Sequence, residues 1–437
     1  MSFRGGPPGL ISKENMVPYV VLFILWIFFI GSILIYSDVV PYPDLPIDTR
    51  VSILSPLSFF LFLIIFYFSL VLFRKTNAGV SRKRILYNEV LCRNNAGNYF
   101  SSCRSLFFLA LMLIFSLFLL WFNLYYSGGI DVIKGDIGRG LYRRQELGLG
   151  PLASLFKNYM PKSILSASVF VFFSSKYRFL HSFFLLVVAL STGLIALSTG
   201  FKGSLIFYFA PAATVFVFVK FKSFRFYHIF FLFALAMAFA LGATLILFDE
   251  ASSLIELLFH RIFAIPVAVP VRFAENYFYT GAFSEYFPTL FYILGGTLVA
   301  IIVSGNHHDI VDLNFSWKIT NLSGYDVSSI VQGGHTNTAT VIGEALFMAG
   351  FVGIILFAVF CAFLSLAVSR VMLFASVSKQ GALLTVLSVY VWNNFVPWVN
   401  SGGVTRLFDL NYFFNFAVIY IFFILMFYLR RIKLLNP

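Results

Sequence analysis

Apolar residues in this chain gather into runs of some twenty, separated by short polar stretches. Runs long enough to cross roughly 30 Å of hydrocarbon as helices fall at 17–36, 51–73, 106–126, 161–177, 180–198, 204–220, 226–248, 341–369, 381–399 and 411–429. The pattern predicts an all-α, polytopic membrane protein of about ten transmembrane helices. One transmembrane domain covers 1–437, with two long outer segments at 127–160 and 249–340. A further run, 287–303, is short and broken by Pro288, Gly295 and Gly296, and reads as a re-entrant or surface-lying piece.

Composition removes the soluble alternative. Sixty per cent of the 437 residues are hydrophobic, 11% are charged and the mean hydropathy is +0.89. A soluble domain of this length cannot hide so much apolar surface. The 58 phenylalanines are spread through the spans and read as lipid-facing filler.

Charge orders the spans. With 287–303 kept out of the count, one side of the membrane receives nineteen bases against Glu14 and Glu89, a net of +17. The other receives twelve bases and sixteen acids, a net of −4. The positive-inside rule puts both termini and the basic loops in the cytoplasm. Letting 287–303 cross would push Arg370, Lys379, Arg430 and Arg431 outside. The first span lacks a small-residue cleavage pattern after it and reads as an uncleaved anchor. Cys92 and Cys103 fall in a cytoplasmic loop and Cys361 in a span, so neither a disulfide nor a cysteine metal site is expected. The basicity reflects membrane orientation, and no nucleic-acid partner is expected.

The outer segments concentrate the polarity. Residues 127–160 mix charges with Leu141, Leu147, Leu149, Leu152, Leu155, Phe156 and Tyr159, which suits an interfacial helix lying apolar side down. Within it, Arg139 and Arg143 stand one helical turn apart with Arg144 adjacent. Two guanidinium forks on one face match a diphosphate; anionic headgroups, Glu146 or Asp136 would satisfy them equally. In SSLIELLFHRIFAIP, apolar residues at helical spacing present His260 and Arg261 near the end of an amphipathic helix that Pro266 stops. Arg272 comes three residues before Glu275, where a surface ion pair is the favoured expectation. His307, His308 and Asp309 lack a third ligand at helical spacing and read as a solvated loop.

Two short outer turns each carry one base: Lys202 in STGFKGS and Arg406 in NSGGVTRLFD. Each suits either focused anion recognition or a snorkelling side chain at the water boundary. The stretch GGHTNTATVIGEALFMAG sets His335 just above the lipid. It places Glu344 in the first turn of a span beginning near Val341, where the helix dipole favours an acid. His335 is either a loop histidine satisfied by backbone or a proton acceptor, since imidazole titrates near neutrality. Gly343, Gly350 and Gly353 fall close to one helical face, so another helix could pack there and fix the Glu344 carboxylate.

These pieces, in this order, resemble the oligosaccharide repeat-unit polymerases of bacterial O-antigen and capsule assembly, the Wzy type. They are polytopic membrane glycosyltransferases of GT-C-like kind. The resemblance rests on the many-span layout, the arginine-bearing loop after the third span, STGFKGS, HRIFAIP within a long outer segment, and GEALFMAGFVGIIL entering a late span. Lys202 departs from it, standing where the family turn carries an arginine, and supplies charge without the bidentate fork.

The resemblance implies transfer of a growing glycan from undecaprenyl diphosphate to the terminal sugar hydroxyl of a newly flipped lipid-linked repeat unit. The place is the periplasmic face of the bacterial inner membrane. Partners would be undecaprenyl-diphosphate-linked repeat units, the lipid bilayer, and a chain-length regulator and flippase of the same pathway. No cofactor and no metal are expected. On this reading Arg139, Arg143, Arg144, Arg261, Lys202, Arg272 and Arg406 hold the diphosphate and neutralise its developing charge, while His335 or Glu344 takes the hydroxyl proton. Two rivals remain: an O-antigen ligase delivering the glycan to lipid A core, and a flippase or transporter, which should carry ionisable residues deep in its spans.

Overall fold

The computed structural model describes residues 10–11, 13–39, 52–76, 102–134, 155–175, 179–199, 204–221, 224–225, 263, 265–286, 315–322, 326 and 339–428. Over these the chain is almost wholly helical. Its longer helices are α1 (Met16–Tyr36), α2 (Leu54–Thr76), α3 (Ser102–Trp121), α4 (Gly129–Lys134), α5 (Met160–Phe173), α6 (Phe179–Ser198) and α7 (Ser204–Lys220). They continue with α8 (Ile265–Tyr277), α9 (Phe315–Leu322), α10 (Thr340–Val377), α11 (Gly381–Tyr390), α12 (Val396–Ser401) and α13 (Leu410–Tyr428). Among the described residues, seven helical stretches are long and apolar enough to cross a membrane. The predicted runs at 226–248 and 287–303 lie outside them.

Two predicted spans take a different form from a plain helix. The run at 161–177 is a fourteen-residue helix entered without a gap from a π turn, Leu155–Tyr159. The run at 381–399 is α11, a π turn at Val391–Phe395, and α12. A π turn inserts one residue into the ladder and rotates the next stretch of helix, a device frequent at functional sites.

Phenylalanine serves both surfaces of a span. On α2, Phe59, Phe62 and Phe66 are buried while Phe60 and Phe68 are exposed. A helix apolar all round suits a protein whose outer face meets lipid. The core runs along α10, which packs on α1, α2 and α8, while α5 packs on α3, α6, α7 and α11.

The bundle has two distinct polar ends. At one, Lys13 Nζ donates to the Phe218 carbonyl at 2.6 Å, and Arg370 pairs with Glu14 at 2.7 Å. Ser369 and Ser376 donate to the carbonyls of Lys13 and Phe218, and Leu10–Ile11 pairs antiparallel with Phe224–Arg225. These residues lie in the base-rich segments of the sequence or, as Phe218 and Ser369 do, at the adjoining ends of the predicted spans. Glu344 lies near the start of α10, 26 residues before Arg370. A break in the helix brings Ala345 level with Gly353, and the 17 residues from Gly353 to Arg370 rise roughly 26 Å at 1.5 Å per residue, close to the thickness of the hydrocarbon layer.

Helix α10 is broken near its start. Ala349 (φ −152°, ψ 28°) and Gly350 (φ 57°, ψ −135°) leave helical conformation, so 340–348 and 351–377 form two pieces. A break in the apolar layer exposes backbone groups that lipid cannot satisfy. Here a neighbouring turn meets them: the Ala282 amide donates to the Phe347 carbonyl at 2.7 Å, and the Phe351 amide donates to the Phe278 carbonyl at 2.8 Å. The fit needs glycine on both sides. A Cβ on Gly350 would come 2.6 Å from the Phe278 oxygen, and one on Gly281 (φ 64°) would come 2.6 Å from Ala349 Cα.

The glycine trio in α10 thus divides its work. Gly343 lies against Pro270 of α8, the close helix approach its position suggested. Gly350 and Gly353 instead serve the break, since a Cβ on Gly353 would strike the Ala345 carbonyl at 1.9 Å.

Candidate functional site

Glu344 organises the end of the bundle opposite the Glu14–Arg370 pair. The expected helix-start acid is displaced inward: α10 begins at Thr340, and Glu344 sits in its second turn with no exposed surface. Thr340 opens the helix at φ 54°, with its own Oγ1 accepting the Ile342 and Gly343 amides at 3.3 and 3.4 Å. The Ala339 amide is tied to the Ser401 carbonyl at 3.2 Å.

Both carboxylate oxygens of Glu344 are fully used. Oε1 accepts Tyr286 Oη–H and the Val404 amide, each at 2.8 Å. Oε2 accepts Trp398 Nε1–H and the Gly403 amide, each at 2.9 Å. Burial, and then the Glu344 charge, push the Tyr286 phenol far above its usual pKa, so it stays a donor. Four donors meeting the ordinary acceptor capacity of a carboxylate satisfy a buried group that would otherwise be costly.

Two of those donors are backbone groups of one turn. Gly402 (φ 72°) and Gly403 (φ 85°) take left-handed conformations, which glycine adopts without penalty. A Cβ on Gly402 would also fall 2.8 Å from the Phe315 ring. The turn leads into a 3-10 helix, Val404–Phe408, that carries Arg406. The Arg406 amide donates to the Gly403 carbonyl at 3.0 Å, and its own carbonyl accepts Asn394 Nδ2–H at 2.6 Å. Its charge lies within electrostatic reach of Glu344, Tyr159 and Asp409.

A second polar layer adjoins Arg406. Tyr159 Oη donates to Asp409 Oδ2 at 2.7 Å, with Asn394 Oδ1 at 3.4 Å. Burial first, then the Asp409 charge, hold this phenol well above its usual pKa. Asp409 Oδ1 accepts the Asn411 amide at 2.9 Å and so caps α13. Beside it, Lys162 Nζ donates to Asn393 Oδ1 and lies 4.7 Å from the centre of the Tyr208 ring.

Lys162 was not among the sequence candidates, though it leaves traces there. It comes directly after Pro161 at the start of an apolar run, and Asn393–Asn394 interrupts another such run. What the pattern lacks is any indication that the two runs face each other.

Arg272 departs from the expected surface pair. Glu275 Oε1 instead accepts the Ser52 amide at 2.6 Å, and Arg272 Nε and Nη1 are buried with no hydrogen-bond partner among the described residues. The register of α8 against α2 decides this, since it brings Glu275 to a backbone donor from another element. Within that helix Pro266 is the second residue, where the first turn does not need its amide hydrogen; the amphipathic helix expected before it lies outside the described residues.

The remaining candidates, Arg139, Arg143, Arg144, Lys202, Arg261 and His335, lie outside the described residues. Of the named set, Glu344 and Arg406 come together. Among the described residues no three of His, Cys, Asp and Glu converge as a metal site requires. Comparison with protein-family models, with curated proteins and with solved structures finds no match to this chain.

Proposed function

We propose that this protein polymerises undecaprenyl-diphosphate-linked oligosaccharide repeat units on the periplasmic face of a bacterial inner membrane. The observation that carries the reading is the Glu344 hub. A buried acid accepts four hydrogen bonds, two of them from the backbone of one outer turn, and thereby fixes Arg406 beside Tyr159 and Asp409. Preorganised cations at a membrane boundary suit a diphosphate leaving group, whose charge grows as the glycosidic bond breaks.

In the transfer, the acceptor hydroxyl oxygen attacks the anomeric carbon of the growing glycan. The bond from that carbon to the diphosphate oxygen breaks, and undecaprenyl diphosphate leaves. Arg406 and Arg272, with Arg139, Arg143, Arg144, Arg261 and Lys202, contact the diphosphate and balance its charge. His335 takes the hydroxyl proton. It precedes Ala339 by four residues, so chain length alone keeps it within roughly 14 Å of the residue tied to Ser401. Glu344 acts as a positioning residue, because its two oxygens already accept four hydrogens and none is spare for a sugar hydroxyl.

Transport is the less supported reading. A path across the membrane calls for ionisable groups through the middle of the spans. In α10 the acids and bases are Glu344 and Arg370, one toward each end, and α11 and α13 carry none.

Arg406→Ala and His335→Ala, expressed in cells lacking the wild-type copy, are expected to insert normally. Both should reduce surface polysaccharide to single repeat units attached to core. Normal chain-length ladders in both variants would remove the assignment. Loss of all attached glycan would indicate a ligase, and lipid-linked repeats retained on the cytoplasmic leaflet a flippase.

A further inference from the structure

Lys162 is 4% exposed, in the first turn of α5, wedged between α7 and the π turn at Val391–Phe395. Protonated, its ammonium brings three donors and a positive charge. Among the described residues the protein answers with the amide oxygen of Asn393 and the face of Tyr208, neither of them anionic. The nearby carboxylates are engaged elsewhere: Asp409 by Tyr159 and the Asn411 amide, Glu344 by its four donors. A buried cation without a counter-charge is costly, and in a membrane protein such a residue marks a site.

The neighbours indicate what the site takes. Asn393 and Asn394 are consecutive residues of one π turn; the first holds Lys162, and the second holds the Arg406 carbonyl and faces Tyr159. The pair of amides thus holds the Lys162 ammonium on one side and the Arg406 backbone on the other, and the Arg406 charge acts on the Tyr159 and Asp409 that adjoin the same pair; two cations reaching one polar layer suit a group with linked anionic centres. Asn393 and Arg406 are only partly buried, so the ammonium lies one side chain below the surface.

We propose that Lys162, with Asn393 and Arg406, forms a binding site for a phosphoryl anion within the bundle. Two sources offer that chemistry, the diphosphate of the lipid-linked donor and the headgroup of a bilayer phospholipid. The first rests on the function proposed above, whereas the site itself does not.

The test uses the full chain in phosphatidylcholine nanodiscs, with thermal unfolding monitored against inorganic pyrophosphate and, as an ionic-strength control, sulfate. A ligand that binds the folded state raises its melting temperature. In the wild type the pyrophosphate response is expected to be half-maximal at a concentration at least tenfold lower than in Lys162→Met and Lys162→Gln. Equal midpoints, or a pyrophosphate response no larger than that of sulfate, would overturn the site. If neither variant folds, Asn393→Ala decides: a midpoint raised at least threefold supports the site, and an unchanged one refutes it. Repeating the titration with phosphatidylglycerol in the discs separates the sources. A midpoint that does not move assigns the site to a diphosphate, and one that rises assigns it to the phospholipid headgroup. Since binding needs no turnover, a protein that holds pyrophosphate through Lys162 but makes no polymer keeps this site and loses the proposed function.

Discussion

Glu344→Ala is expected to be among the most damaging single substitutions in this protein. It leaves the Tyr286 hydroxyl, the Trp398 indole N–H and the amides of Gly403 and Val404 facing a space with no acceptor. Each orphaned buried donor costs about 1–3 kcal/mol, so a loss of at least 4 kcal/mol, on the order of the whole stability of many domains, is expected. Glu344→Gln keeps one acceptor oxygen but turns an NH2 group toward two of the donors, and about half that loss should result. Thermal unfolding of the purified variants in nanodiscs measures both. An alanine variant within about 1 kcal/mol of wild type would show that the hub does not hold the turn. Activity should fall in parallel, because Arg406 rides on the same turn.

Gly350→Ala should be comparably harmful for a different reason. At φ 57° and ψ −135° the backbone lies in a region that residues with a Cβ hardly enter, and the added carbon would stand 2.6 and 2.7 Å from two carbonyl oxygens. Relief would require the turn at 278–282 to withdraw and abandon the two hydrogen bonds that mend the break. That turn leads directly to Tyr286, so the disturbance reaches Glu344 through its phenol. Strain and two lost buried hydrogen bonds together suggest a cost of about 3–5 kcal/mol, read by the same unfolding experiment. A control at Gly193, where a Cβ would meet only Phe209 ring atoms at 3.8 Å, should change stability by less than about 1 kcal/mol. Equal tolerance at both positions would mean that the break is not a required feature.

The helices of this fold were legible because the signal for a membrane span is blunt. Length and apolarity alone located α1, α2, α3, α6, α7 and α13 to within a few residues. Hydropathy does not register how a span is interrupted. Ala349–Gly350 and Asn393–Asn394 sit inside runs that read as continuous, because a π turn or a mended break depends on what the neighbouring segment donates. Glu344 and Arg406 were recognisable as rare charges at span ends. Their connection was not, since it passes through the backbone of Gly403 and Val404, and an amide leaves no mark in a residue pattern. Lys162 escaped notice for a related reason: a lysine at a span boundary ordinarily snorkels to water, and only the packing of α7 and the π turn over it prevents that. Arg272 and Glu275 show the converse, a sequence-adjacent pair that tertiary register separates.

Whether this chain joins lipid-linked sugars itself is the central question. The direct measurement is to reconstitute the purified protein in liposomes, supply only undecaprenyl-diphosphate-linked repeat units, and resolve the products by chain length. The expected result is a ladder of multimers with undecaprenyl diphosphate released one for each linkage formed, lost in Arg406→Ala. Repeat units that remain single while crossing from one leaflet to the other would contradict it.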